Sequence, residues 1–318
     1  MTRKIALTGA TGFIGGNLVK RLAEAGWMIQ ALSRPNSNRS YLAGLPIRWI
    51  EGDLSDLDSL RLLVRNMDAV VHCAGAVRGA SEKQFNRINA KGVARLVHAA
   101  TEQHLRPRFL LISSLAAREP QLSPYASSKR QGEEILARGA GTMFWAAFRP
   151  SAVYGPGDRE MLPLFRWMAR GIVPVLGSAR NRFSLLYVDD LVEAILLWLE
   201  RANRRAGIFE LHDGRPSGYS WQDVIDIAAH LRSRPVLRVP VPQVILKFVA
   251  RLNVGAARMF NYPPMLTPGK VRELTHTDWI CDNTALSKET GWTPRIDLKA
   301  GLPQTLALSG RKLEQFSA

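Results

Sequence analysis

Short β-type runs alternate with longer amphipathic stretches through the first half of the chain. Lys4 to Leu7, Met28 to Leu32, Ile47 to Ile50, Ala69 to Cys73, Phe109 to Ile112 and Met143 to Phe148 are short apolar segments, as strands of a covered sheet are. Between them, Asn17 to Ala25 carries apolar residues at helical spacing and closes on Gly26, and Leu57 to Val64 repeats the pattern. Strands with intervening helices at this spacing imply right-handed crossovers. The expected fold is α/β, a Rossmann-type doubly wound parallel sheet.

After Pro150 the texture changes. Gly155-Pro156-Gly157 is a turn signal, and prolines recur at Pro235, Pro240, Pro242, Pro263, Pro264 and Pro268. Helical patterns run over Asp190 to Leu199, Trp221 to Leu231, Val244 to Leu252 and near the end of the chain. This predicts a smaller, mostly helical C-terminal substrate domain. The expected division is residues 1–157 plus roughly 184–212 for dinucleotide binding, with roughly 158–183 and 213–318 as a substrate-binding cap.

A length of 318 residues gives ample core, and 46% apolar against 22% charged residues excludes extended disorder. No run reaches the ~18 unbroken apolar residues of a membrane helix, because Asp189, Asp190 and Glu193 interrupt Leu185 to Leu199. Ile5 to Leu7 is too short an apolar block for a secretory segment. Two cysteines, Cys73 and Cys281, make no disulfide framework, and no Cys/His cluster has zinc spacing. A reduced, cytoplasmic, metal-free protein is expected.

The net charge of +16 attracts nucleic acid, anionic lipid or phosphorylated ligands. The cations are dispersed, however, and the densest cluster, Arg201, Arg204 and Arg205, is short and lacks interleaved aromatics. Nucleic acid is therefore not an expected partner. Solubility or peripheral membrane contact accounts for the charge more simply, and the greasy segment Val244 to Phe260 is compatible with an apolar substrate, a membrane surface or core packing.

The strongest local signal is Thr8-Gly9-Ala10-Thr11-Gly12-Phe13-Ile14-Gly15, directly after the first strand and opening a helix. Glycines there allow a tight turn and close approach of the backbone to a pyrophosphate on the helix N-terminus. The spacing is one residue longer than the usual dinucleotide fingerprint. Gly9, Thr11, Gly12, Phe13, Ile14 and Gly15 are the candidate contacts. At the end of the second strand, Gln30 to Arg34 offers no acid for a ribose hydroxyl. Ser33 and Arg34 suit a 2′-phosphate instead, so NADP is expected over NAD. Asp53, followed by Leu54, can accept from an adenine amino group or cap the next helix. Ala74-Gly75-Ala76 offers a side-chain-poor surface for a cofactor to lie over.

Tyr125-Ala126-Ser127-Ser128-Lys129 follows Pro124 and begins a predicted helix. Residues four apart share one face. A phenol near pKa 10 is a poor proton carrier at neutral pH, and a neighbouring ammonium favours the phenolate. The strand before it ends in Ser113-Ser114, where a hydroxyl can donate to a substrate oxygen as charge develops. Together with Arg149-Pro150, Val153-Tyr154-Gly155-Pro156-Gly157, Tyr187-Val188-Asp189-Asp190-Leu191, Gly291-Trp292-Thr293-Pro294 and Asn89 with Gly92, these motifs resemble the extended short-chain dehydrogenase/reductase family, of the NAD-dependent epimerase/dehydratase type. The resemblance spans nearly the whole chain.

That resemblance implies that Tyr125 is the acid/base and that Lys129 is its pKa modulator and ribose ligand. Ser114 is the better match for the substrate-polarising serine, with Ser113 left open. Pro150 to Val153 would border the nicotinamide. Asp189 and Asp190 are read as helix-capping and bracing residues, not as a metal pair. Family dehydratases carry acids just after the catalytic hydroxyl, where this chain has Leu115, Ala116 and Ala117. Many epimerases carry Arg-Asp where it has Phe183-Ser184-Leu185-Leu186, and Tyr125 comes only eleven positions after Ser114. These departures resemble the reductase and hydroxysteroid-dehydrogenase-like branches. The leading expectation is an NAD(P)-dependent oxidoreductase interconverting a secondary alcohol and ketone. Alternatives are a nucleotide-sugar epimerase using the same residues and, behind it, a non-catalytic NADP-binding subunit. The expected substrate is a small molecule, apolar or nucleotide-linked, and a homodimer is compatible with the sequence.

Overall fold

The computed structural model describes residues 3–201 and 206–314. The first half runs β1 (Lys4–Thr8), α1 (Phe13–Glu24), β2 (Met28–Ser33), β3 (Ile47–Glu51), α2 (Leu57–Val64), β4 (Ala69–His72), α3 (Glu82–Asn89), α4 (Lys91–Thr101), β5 (Arg108–Ile112), α5 (Pro124–Gly139) and β6 (Trp145–Pro150). Next come β7 (Ala152–Tyr154), α6 (Leu162–Ala169), β8 (Ile172–Leu176), β9 (Arg182–Phe183), β10 (Leu185–Tyr187), α7 (Val188–Arg201) and β11 (Gly207–Leu211). The remainder is α8 (Trp221–Arg232), β12 (Leu237–Val241), α9 (Gln243–Phe260), α10 (Pro268–Thr275), β13 (Asp278–Trp279), α11 (Thr284–Thr290) and α12 (Leu298–Glu314).

Seven strands form one sheet in the order β11-β6-β5-β4-β1-β2-β3, every pair parallel. Parallel strands need covered faces, and alternate residues of β1 serve both. Ile5 and Leu7 join Leu18, Leu22 and Trp198 on one side. Ala6 joins Leu60, Val97 and Leu111 on the other. The chain leaves β1 toward β2 on one flank and returns to β4 on the other. A crevice therefore opens at the carboxyl ends of β1 and β4, where such folds take their ligands.

A third core, built on Tyr154, Phe165, Val173, Tyr219, Trp221 and Leu298, belongs to the C-terminal, mostly helical layer. That layer also holds three short parallel pairs, β7–β10, β8–β12 and β9–β13. The α9 helix runs on past the expected Val244 to Leu252 segment as far as Phe260. The side chains of the basic run Arg201, Arg204 and Arg205 lie outside the described residues. Among the described residues, no helix is long and apolar enough to cross a membrane.

Candidate active site

The glycine loop sits at the strand-order reversal. Gly9 has φ +74°, and a Cβ on it would stand 2.5 Å from the Ala74 nitrogen. A Cβ on Gly15 would stand 2.1 Å from the Gly9 carbonyl oxygen. The loop thus closes on itself and on the end of β4 at distances only glycine permits. Gly12 is the N-cap of α1, which has no side-chain cap and no acid in its first turn, leaving its amides to an outside anion. Thr11, Gly12, Phe13 and Ile14 border a cavity of about 1590 Å³, as do Gly9, Gly15, Arg34, Gly75, Pro150 and Val153. The cradle fits the pyrophosphate of a dinucleotide.

Five expected cofactor contacts, Ser33, Asp53, Leu54, Ala74 and Lys129, do not border this cavity. The Ser33 hydroxyl is buried, accepts from Arg39 Nε at 2.9 Å and donates to the Arg34 carbonyl at 3.2 Å. Arg39 in turn stacks 5.1 Å from the Trp49 ring, so the serine shapes the loop after β2. The Asp53 carboxylate accepts from the Ser55 amide and hydroxyl at 2.9 and 2.8 Å, which holds it below the usual carboxylate range. Leu54 packs over Gly92, where a Cβ would lie 3.0 Å from its Cδ1. The Ala74 amide donates to Thr8 Oγ1 at 3.3 Å.

Ser123 caps α5, accepting from the Ala126 amide at 3.0 Å, and Pro124 occupies the first turn. Tyr125 and Lys129 therefore share one face, a turn apart. Lys129 Nζ donates to the Ile112 carbonyl at 2.9 Å, and a Cβ on Gly75 would come within 3.1 Å of it. Burial pulls this ammonium down to about 8. Ser114 is the hydroxyl that acts on the Tyr125 phenol, favouring its ionised form. The phenol pKa is nonetheless raised, because burial outweighs Ser114 and the Lys270 ammonium, and Glu273 adds to the rise.

Lys129 gives its ammonium to β5, while Lys270 of α10 stands 5.8 Å from the Tyr125 ring centroid and favours the phenolate. The two candidate serines also separate. Ser113 Oγ donates to Glu133 at 2.5 Å, leaving Ser114 as the one facing the phenol. Asn89 ties the layers together: its amide donates to the Ala76 carbonyl and Ser128 Oγ, and its carbonyl accepts from the Ala76 amide. Cys73 also borders the cavity, but burial pushes its thiol up to about 12, outside the range of a nucleophile.

Beyond Tyr125 the cavity enters the C-terminal layer, where Met161, Leu164, Phe165, Met168, Leu176 and Leu266 line it beside the polar Arg159, Glu160, Asn181 and Ser184. Near the phenol stand Lys270 and Glu273, paired at 2.9 Å, with Ser123 Oγ donating to the same carboxylate. Sequence reasoning missed this pair. Its only local signal is a Lys and Glu three apart behind the helix start Thr267-Pro268, and nothing local brings it to Tyr125.

A doubly wound sheet with a glycine cradle at its switch point and a tyrosine, serine and lysine beside it has the build of an NAD-dependent oxidoreductase or epimerase. The chain belongs to the NAD dependent epimerase/dehydratase family, whose family model matches residues 5–211. It is 36% identical over 287 residues to ceramide reductase of Caulobacter vibrioides, spanning 89% of this chain and 88% of that one. It is 27% identical over 332 residues to UDP-glucose 4-epimerase of Vibrio cholerae, spanning 96% and 95%. Among solved structures, MoeE5 in complex with UDP-glucose and NAD superposes with a TM-score of 0.74 at 23% identity over 98% of this chain and 99% of that one, a likeness of fold. The chain is thus an enzyme of the NAD-dependent oxidoreductase and epimerase class.

Proposed function

We propose that this enzyme reduces the keto group of a lipid-like substrate, with NADP as the preferred dinucleotide. The observation that carries the reading is the apolar lining beyond Tyr125, from Met161 to Met168 and at Leu266. The relative named ceramide reductase supports the same substrate class. When bound along the glycine cradle, a reduced nicotinamide would supply the hydride for the carbonyl carbon. Tyr125 gives its proton to the carbonyl oxygen, and Ser114 donates a hydrogen bond to that oxygen as negative charge develops. A phenol held above its ordinary range stays protonated at neutral pH, which suits proton donation and hence the reductive direction. In this reading Lys129 serves the ribose and the exposed Arg34 guanidinium, on the cavity border, takes a 2′-phosphate.

The test pairs a long-chain β-keto amide in detergent micelles with NADPH or NADH, and runs UDP-glucose in parallel. NADPH should be consumed with the keto lipid. Tyr125→Phe should lower turnover by ~10²-fold or more with dinucleotide binding kept, and Arg34→Ala should erase the NADPH preference. Near wild-type reduction by Tyr125→Phe sinks the mechanism. Epimerised UDP-glucose without ketone reduction replaces the reading with that of a nucleotide-sugar epimerase.

A further inference from the structure

Helix α9 buries a narrow seam and leaves a broad apolar face uncovered. Ala250 and Ala257 are buried, with Leu246, Asn253 and Val254 half-buried beside them. Asn253 Nδ2 donates to the Leu266 carbonyl at 2.9 Å, and Gln243 Nε2 donates to Thr275 Oγ1 at 2.9 Å, so the helix is pinned to α10. On the opposite face Ile245, Phe248, Leu252 and Met259 follow one another at helical spacing, exposed by 53%, 61%, 58% and 75%. Val244 and Phe260 extend this face at its ends, exposed by 78% and 68%. An apolar stripe of this length is uncommon on a soluble surface.

The charge beside it has one sign. Lys247, Arg251 and Arg258 line one border of the stripe at spacings of four and seven, all exposed. Between Asp226 and Glu273 the chain carries eight Lys and Arg and no Asp or Glu. Ion pairs in this part of the molecule are made by Arg182, Arg215 and Lys270 instead. A second copy seated on the stripe by a two-fold axis would bring these cations against their own counterparts.

We infer that α9 docks on a bilayer rich in anionic headgroups, its apolar stripe inserted and Lys247, Arg251 and Arg258 at the phosphate level. An apolar face bordered by cations, with no acids, is the build of an interfacial helix. The helix leads directly into Met265 and Leu266 on the cavity wall, and half-exposed Trp167 borders the same cavity. Docking therefore brings the cavity rim to the lipid surface, a route for a substrate that partitions into the bilayer. That last consequence rests on the lipid-substrate reading, whereas the docking itself does not.

Vesicle sedimentation of the full chain, without substrate or dinucleotide, tests the docking alone. The protein should sediment with phosphatidylglycerol-containing vesicles, far less with pure phosphatidylcholine, and be partly released by salt. Phe248→Asp with Leu252→Asp should abolish binding while leaving the melting temperature and dinucleotide affinity unchanged, since both side chains face outward. Reversal to Glu at Lys247 or Arg251 should weaken binding roughly fivefold or more per site. The inference is overturned if the wild type stays in the supernatant with phosphatidylglycerol vesicles, or if the double Asp variant binds equally. It is likewise overturned if the wild type is a dimer in solution that this variant turns into a monomer, because a second copy then covers the stripe. Keto-lipid turnover in micelles, where no bilayer is present, reports on the substrate reading separately.

Discussion

Lys129 is a cation held where a cation is costly. Its Nζ has a single carbonyl partner, Ile112, and burial draws it down from 10.5 to about 8. Between those two values the unfolded chain binds a proton that the folded chain does not. Stability from this site therefore rises with pH across that window and is lowest at neutral pH. Such a cost is understandable if the ammonium serves a ligand. Dinucleotide affinity should then hold below about pH 8 and fall above it as Nζ loses its proton. Lys129→Met should bind more weakly and show no such fall, while unfolding at a higher denaturant concentration at neutral pH. Fluorescence titrations on either side of that pH, with urea melts, check both signs. The Tyr125/Lys129 pairing was legible because helical geometry is local. Lys270 and Glu273 were not, since they meet the Tyr125 region from about 150 residues further along the chain, as the Ser123–Glu273 bond measures. The hydroxyl of Ser33 looked available for the same reason: nothing local says that Arg39, six residues on, will claim it.

Helix α5 carries both Tyr125 and Lys129, so its register against the sheet sets the site. That register is held by Glu133, one turn beyond Lys129. Arg149 of β6 grips it with a two-pronged pair, Nε to Oε1 at 2.9 Å and Nη2 to Oε2 at 2.6 Å, and Ser113 adds a third donor. The two side chains are only 8% and 1% exposed. Removing one partner of such a pair leaves a buried charge unmatched, at a cost of about 3 to 5 kcal/mol. Glu133→Ala should lose that much unfolding free energy in denaturant melts, and Glu133→Leu with Arg149→Met should recover much of it. A Glu133→Ala loss under about 1 kcal/mol would mean that water already reaches the pair. The motif Arg149-Pro150 flagged the arginine, but a lone glutamate in a helix carries no signal of its partner. Other elements read differently for plainer reasons. Helix α1 begins at Phe13, inside the glycine loop expected to open it, and its first turns hold Gly15 and Gly16, which propensity counts against a helix but close packing requires. Strands β8 and β12 contain Pro174 and Pro240, tolerated because their sheet has two strands and hence two open edges.

Across the whole molecule, the sheet and the C-terminal layer must stay in register for the cavity between them to hold its shape. Several bonds cross its rim: Arg78 pairs with Glu160 at 2.8 Å, the Gly79 amide donates to the Pro264 carbonyl at 3.2 Å, and Arg118 donates to the Asp278 carbonyl at 2.8 Å. At the rear, the first turn of α7 receives the chain as it approaches α12. The Asp190 carboxylate accepts from the Arg295 amide at 3.1 Å and the Ile296 amide at 2.9 Å, while the Asp190 carbonyl accepts from Trp292 Nε1 at 3.1 Å. Trp292 is fully buried, and Leu298 donates through its amide to Tyr219, whose hydroxyl reaches Asp213 at 2.6 Å. Asp190 is thus a brace, and it acts on the segment that leads into Leu298. Asp190→Ala leaves the part-buried bonds to the Arg295 and Ile296 amides without an acceptor, at about 1 to 3 kcal/mol in all before relaxation. Stability should fall by at least the lower figure. The second consequence separates the two halves of the site: Leu298 lines the substrate end of the cavity, so KM for the keto substrate should rise, while dinucleotide affinity, set by the glycine cradle on the sheet, should not move. Parallel KM and dinucleotide-titration measurements decide the matter. Equal losses at both ends would mean that Asp190 holds the sheet itself rather than the layer laid over it.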